Sequence, residues 1–166
     1  MRFLTSLMAA LVLALAAPTL AHAETDTIPP ARTQVLDCVA TLDRDSSWPE
    51  CLRLIFAPCA GLPVGSEPHI GCLASERRDW RAVMDGEQTG LMMALTTTAS
   101  SELTGVMSRW YGYVGRKCGE VAAQKADISA DAAQLGCEIS EIVGVTAEFA
   151  ACRAGRSTAP YCILQE

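Results

Sequence analysis

The chain lacks the short motifs by which cysteine and histidine sites are usually recognised. Its eight cysteines include no Cys-x-x-Cys pair, which excludes a thioredoxin-like redox motif, a zinc knuckle and Cys-x-x-Cys-His haem attachment. Beyond residue 23 the only histidine is His69, so a histidine-rich metal site cannot be built. We therefore expect no metal and no cofactor, and interpret His69 as an ordinary loop residue.

Positive charge is also scarce. The chain has 13 Lys and Arg against 19 Asp and Glu, a formal net charge of −6. Nucleic acid is excluded as an expected partner because its phosphates would be repelled, whereas a cationic partner would be attracted over long range. The same acidity also serves plain solubility.

Long apolar runs are confined to the N-terminus. Residues 1–23 combine Arg2, an apolar run from Leu4 to about Ala17 and the small-x-small ending Ala21-His22-Ala23. This pattern predicts a secretory signal peptide cut after Ala23. No later run approaches the roughly 20 apolar residues that a spanning helix needs. We expect an exported protein, periplasmic or secreted, with no membrane insertion after cleavage.

The first part of the mature chain is rich in cysteine and in turn residues. Residues 24–31 contain a Pro-Pro pair and predict a flexible N-terminus. A cysteine-rich helical extension and loop is expected over 32–71. Within it we predict a helix over 32–43, a second helix capped by Ser47 with Glu50 three residues later, and a loop over 61–71.

The remaining residues, 72–166, form the predicted main domain. Three stretches carry apolar residues at helical spacing, over 72–96, 102–126 and 129–153. Ser100 or Ser101 is the expected cap of the second stretch and Ser129 that of the third. Strand-like alternation is absent from the sequence. We predict an all-α fold, a disulfide-tied helical bundle with a short cysteine-rich N-terminal helical extension.

An even number of cysteines in an exported chain predicts disulfides. Eight cysteines allow 105 pairings, and sequence alone does not select one. Cys51 and Cys59 should not pair, because eight residues of helix would separate them by about 12 Å. The pairing we favour is Cys38–Cys59, Cys51–Cys72, Cys118–Cys137 and Cys152–Cys162.

The densest aromatic stretch is RWYGYVGRKC, residues 109–118. On a helix, Trp110 falls on the apolar stripe and Tyr113 flanks it, so we assign both to the core together with Trp80. Exposed arginine and tyrosine side chains are favoured interface anchors. The candidate partner-binding residues are Arg109, Tyr111, Arg116 and Lys117.

Three pieces of the segment from Cys72 to Cys152 match one known family: Cys72-Leu73 with Glu76 and Trp80; Trp110, Tyr113 and Cys118; and Leu135-Gly136-Cys137. Through these pieces the segment resembles the lysozyme inhibitor LprI-like family of secreted bacterial proteins. The chain departs from the family at four polar positions. It has Arg81 where an Asp follows the first Trp, Met107 where a Gln is usual, and Val114-Gly115 in place of Arg-Asp.

The resemblance implies an exported binding protein that blocks lysozyme or another cationic cell-wall hydrolase, an encounter that its acidic charge would speed. No inhibitory residue is carried over, since none is matched with its motif intact. The alternative is a periplasmic structural or interaction module of the same fold that does not inhibit. We do not expect an enzyme: Glu138 and Glu141 lie three residues apart, as on an ordinary solvated helix face, and no nucleophile motif accompanies them.

Overall fold

The computed structural model of the protein describes residues 30–40, 48–125 and 129–165. These residues are all-α and tied by disulfides, as the sequence predicts. The five helices of the described part are α1 (Pro30–Ala40), α2 (Trp48–Phe56), α3 (Glu67–Ala94), α4 (Thr97–Gln124) and α5 (Ala130–Arg153), with a 3₁₀ turn at Ala57–Cys59 after α2. The predicted signal peptide and residues 24–29 lie outside the described residues.

Helix α5 is the centre of the fold. It packs against α3, α4 and α1, and its apolar residues Ile139, Val143 and Phe149 are fully buried. Val35 of α1 and Ile55 of α2 belong to the same hydrophobic cluster. The cysteine-rich extension and the long helices therefore share one core.

Two helices start earlier than the sequence suggested. Residues 30 and 31 belong to α1, not to the N-terminal segment, because proline is well suited to a first helical turn. The loop predicted over 61–71 ends at Ser66, whose hydroxyl accepts a hydrogen bond from the backbone N–H of His69 at 3.3 Å. His69 is thus a residue of the first turn of α3, and its ring Nδ1 accepts from the N–H of Gly65 at 3.2 Å.

The break between α3 and α4 is also shorter than predicted. Thr96, not Ser100 or Ser101, caps α4 by accepting from the N–H of Ala99 at 3.3 Å. The C-terminal tail holds this short break: Leu95 forms an isolated antiparallel bridge with Leu164, and the N–H of Thr96 donates to the carbonyl of Ile163. Ser129 caps α5 as predicted. The predicted cap of α2, Ser47, lies outside the described residues.

The cysteines pair consecutively along the chain, the first with the second, the third with the fourth, and so on. Cys118–Cys137 and Cys152–Cys162 confirm the favoured pairing, whereas Cys38–Cys59 and Cys51–Cys72 are wrong. The observed bridges are Cys38–Cys51 and Cys59–Cys72. Cys51 and Cys59 do not pair with each other, as the distance argument required. However, α1 packs against α2, and the turn after Cys59 leads directly into α3, so the nearest partners are the local ones.

Candidate functional site: a groove between α3 and α4

A groove of about 450 Å³ lies between α3 and α4. One wall is formed by Arg77, Arg78 and Arg81 of α3. The other wall belongs to α4, and α5 contributes two further residues. The lining residues from α4 and α5 are Trp110, Tyr111, Val114, Gly115, Glu138 and Ile142. We call this surface the arginine groove.

Helix α3 presents arginines to the groove because its charges are segregated around its axis. Trp80 points into the core and is 1% exposed. On one side of it, Nη2 of Arg32 from α1 lies 3.4 Å from Glu76 Oε2 and 3.1 Å from Asp79 Oδ2. The same guanidinium also stacks over the Trp80 ring. Arg77, Arg78 and Arg81 follow on the other side, since each residue advances the helix by about 100°. The acidic flank thus faces α1 and the basic flank faces α4.

The three arginines differ in how far they are neutralised. Arg77 Nη1 lies 2.7 Å from Glu138 Oε2 of α5, a pair reinforced by Gln134, which donates to Glu138 Oε1. Arg81 pairs through its Nε with Asp85 Oδ1 at 3.4 Å. Among the described residues no ion pair reaches Arg78. Three guanidinium groups and one carboxylate line the groove, so its local charge is positive on a chain whose net charge is negative.

Aromatic and small residues form the opposite wall. The Arg81 guanidinium carbon lies 4.4 Å from the centre of the Tyr111 ring, and Tyr111 meets Trp110 edge to face at 5.1 Å. Such a cation–π contact stabilises by about 0.5–1 kcal/mol at an exposed site. Gly115 leaves the wall open, because a Cβ added there would meet no atom within 4 Å.

The structure does not bring the four predicted partner-binding residues together. Tyr111 is 37% exposed and lines the groove. Arg109 and Arg116, seven residues apart, share the outer face of α4. Tyr111 projects about 160° away from Arg109 around the helix axis, as their two-residue spacing requires. Arg109 and Arg116 therefore contribute nothing to the groove.

Lys117 is held on a third face of α4. Its Nζ lies 2.6 Å from Glu141 Oε1 of α5 and 5.6 Å from the centre of the Tyr113 ring. The hydrogen bond to Glu141 is the main cause of a raised pKa for Lys117. Glu141 is thus part of a salt bridge between helices, as Glu138 is with Arg77, so the interpretation of these two carboxylates as a plain solvated face is wrong.

Of the three predicted core aromatics, Trp80 is buried and Trp110 is partly buried against the core cluster. Tyr113 is 48% exposed, so its assignment to the core is wrong. It lies at the edge of the apolar stripe, three residues after Trp110, and its ring contacts Lys117 instead of the core.

All eight cysteines are in disulfides, and the described residues contain no cluster of three or more His, Cys, Asp or Glu arranged to hold a metal ion. None of the described helices is long and apolar enough to cross a membrane. Comparisons with protein-family models, curated proteins and solved structures found no match for this chain.

Sequence reasoning missed the arginine wall. The signal was present as ERRDWR, residues 76–81, in which three arginines lie within five positions around a tryptophan. Its significance depends on α3 lying beside α4 so that Arg81 covers Tyr111, 30 residues further along the chain. Periodicity within one helix does not specify that neighbour.

Proposed function

We propose that this chain is an exported binding protein that blocks a cationic cell-wall hydrolase such as lysozyme, and that it docks through the arginine groove. Export rests on the signal-peptide pattern of residues 1–23. The four disulfides fit an oxidising compartment.

The observation that carries the proposal is the exposed pair formed by Arg81 and Tyr111, with Arg78 beside it. Arginine and tyrosine are the residues that most often dominate the binding energy of interfaces. A guanidinium group matches a carboxylate through two parallel hydrogen bonds. Glycoside hydrolases hold two carboxyl groups beside the scissile bond, and these are the targets that Arg78 and Arg81 would engage.

The charge distribution suits such a partner. The net charge of −6 attracts a cationic enzyme over long range and speeds the encounter. At short range the groove offers the opposite sign to the acidic active site. The proposal therefore attributes long-range attraction to the net negative charge of the chain and short-range docking to the arginine groove.

The resemblance to the LprI-like family supports the same function, with one difference in the surface. Three of the four departures from the family pattern, Arg81, Val114 and Gly115, line the groove. The groove is accordingly the place where this chain would differ from the family in target or affinity.

A cell-wall lysis assay tests the proposal. The oxidised mature protein, residues 24–166, is titrated against lysozyme, with a reduced and alkylated sample as the control for folding. We expect inhibition that is lost on reduction. The double variant Arg78→Ala/Arg81→Ala should weaken inhibition at least about tenfold, since losing a central arginine anchor costs more than about 1.4 kcal/mol.

The matched control is Arg109→Ala/Arg116→Ala, which removes the same charge from the outer face of α4. We expect it to change inhibition less than about threefold, the range of a peripheral charge. Equal losses in the two double variants would assign the effect to net charge and contradict docking at the groove. Absence of inhibition against every lysozyme class at large excess would contradict the inhibitor function itself.

The second candidate, an interaction module without inhibitory activity, is favoured by one observation. Arg109 and Arg116 point away from Tyr111, so the basic residues of α4 do not form a single contact surface. This candidate predicts that immobilised protein retains a cell-wall hydrolase whose activity is unchanged. If the hydrolase is retained only when Arg78 and Arg81 are present, and the retained hydrolase stays fully active, the interaction module is supported over the inhibitor.

A further inference from the structure

We propose that the arginine groove is a binding site for a small ligand composed of one ring and one carboxylate group. The proposal uses the same groove as the proposed function but does not depend on a hydrolase, and its test contains none. Three features of the groove carry it: its length, the state of its arginines, and its apolar wall.

The groove is short. Arg77 and Arg81 are four residues apart on α3, about 6 Å along the helix, and Trp110 and Gly115 are five apart on α4, about 7.5 Å. An extended peptide advances about 3.3–3.6 Å per residue, so only two of its residues would lie between the walls. A length of 6 to 8 Å suits one ring with its substituent, and the volume of about 450 Å³ lies in the range of small-molecule sites.

Two guanidinium groups are available for an anion. Arg77 already has its carboxylate, Glu138. Arg81 uses its Nε for Asp85 and one face for Tyr111, and among the described residues no ion pair occupies its two Nη atoms. Arg78 has no ion pair there either. A carboxylate placed between Arg78 and Arg81 would receive charge-assisted hydrogen bonds from both.

Apart from Glu138, which is paired with Arg77, the rest of the lining is apolar or aromatic. The side chains of Trp110, Val114 and Ile142 line the groove together with the arginines. A bare anion would leave this surface in contact with water. A ring attached to the carboxylate would cover it, and the indole of Trp110 favours a flat partner. Apolar walls with a few convergent polar groups are the usual composition of a small-molecule site.

Isothermal titration calorimetry of the oxidised mature protein with benzoate tests the proposal. Benzamide has the ring without the charge, acetate has the charge without the ring, and inorganic phosphate is a polyvalent anion without an apolar part. We expect saturable binding of benzoate at millimolar or lower concentration, with each of the other three at least tenfold weaker. Equal binding of benzamide, acetate or phosphate, or no saturable binding of benzoate, would overturn the proposal.

Gly115 provides the matched variants. It lines the groove and a side chain there meets no atom within 4 Å, so substitution is compatible with folding. Gly115→Asp places a carboxylate opposite the arginines, and we expect it to weaken benzoate binding at least tenfold. Gly115→Asn has the same shape without the charge and should stay within threefold of the unmodified protein. An unchanged affinity in Gly115→Asp, with the fold intact by circular dichroism, contradicts the site.

A second pair of variants separates the groove from general charge. Arg78→Gln/Arg81→Gln should lose at least tenfold in benzoate affinity. Arg109→Gln/Arg116→Gln lowers the net charge by the same amount and should leave the affinity within threefold. Similar losses in both would show that benzoate is attracted by the surface as a whole and would overturn the assignment.

Discussion

The basic residues of α3 and those of α4 are alike in chemistry and different in what they form. Arg77, Arg78 and Arg81 line one groove with Tyr111 across from them. Arg109 and Arg116 lie on the exposed outer face of α4, each with its guanidinium over the glycine four residues earlier. The difference shows that a basic helix segment lines a groove only where a neighbouring helix supplies a second wall.

The two sets also differ in their supports. The α3 arginines are carried by a helix whose Trp80 is fully buried and whose acidic flank is held by Arg32. The outer arginines of α4 have no such contact, since they lie with Gly112 and Gly119 on a solvent-exposed side of the helix. Experiments on the two faces should therefore give different results for similar substitutions.

Removing Trp80 should give the largest effect. Trp80→Ala leaves a cavity beneath the α3 arginines and should lower the free energy of unfolding by about 3–5 kcal/mol. Trp110→Ala, at a partly buried position on the other wall, should cost only about 1–2 kcal/mol. Urea denaturation measures both. Equal losses of unfolding free energy in the two variants would contradict the expectation that the α3 wall is more strongly supported than the α4 wall.

Alkaline pH should give the next largest effect. Burial, assisted by the charge of Glu148, raises the pKa of Tyr161 to about 12 from its usual 10.0. Tyr161 therefore contributes stability that is fully present below pH 10 and lost as the pH rises toward 12, a decrease of about 2–3 kcal/mol. Unfolding free energies measured at pH 9 and above should show this decrease in the natural chain and not in Tyr161→Phe.

Lys117 should contribute a smaller loss of folding stability at alkaline pH. Its hydrogen bond to Glu141 raises its pKa, so this contribution is present below the unfolded pKa of 10.5 and disappears at higher pH. Glu141→Gln should remove it, whereas Glu120→Gln, at an exposed position of α4, should not. Since the pair is partly exposed, a difference close to the detection limit is expected. A loss in both variants would mean that general charge, not the pair, is responsible.

The glycines of α4 should give the smallest effect on stability. Gly112→Ala on the outer face and Gly115→Ala in the groove each replace a helical glycine and should stabilise by about 0.5–1 kcal/mol. The Cβ at position 112 lies in ordinary contact with Arg116, and that at 115 meets nothing. Thermal denaturation should show similar gains, and benzoate affinity should stay within threefold of the natural chain in both variants, because neither adds a charge to the groove. If one variant stabilised the protein and the other destabilised it, the expectation that both helical glycines respond alike to alanine would be wrong.

Helix content and the cap of α5 could be read from the sequence because both are local. Apolar residues recur at helical spacing along α3, α4 and α5, and a serine at position 129 precedes the last of them. The start of α4 was predicted too late because two kinds of cap compete in TTTASSE, and tail contacts to Leu95 and Thr96 select the earlier one. Such contacts come from residues 163–165 and are invisible to a local pattern.

The cysteine pairing shows the same limit. The distance argument correctly separated Cys51 from Cys59, because a helix of known rise fixes that distance. Choosing the partner of Cys51 required knowing that α1 packs on α2, which depends on Val35, Leu36 and Ile55 joining one core. Cys118–Cys137 joins α4 to α5 and Cys152–Cys162 joins the end of α5 to the tail, so in both the partners are consecutive cysteines on segments that also follow one another along the chain.

The sequence by itself determined that this chain is helical, rich in disulfides and acidic, because helical periodicity, cysteine count and charge are properties of the residues alone. Only the tertiary structure decided which basic residues share a surface. Arg81 and Tyr111 are 30 positions apart, and Arg77 and Glu138 are 61 apart. Their contacts exist because α5 packs against both α3 and α4 and holds the two helices on either side of one groove.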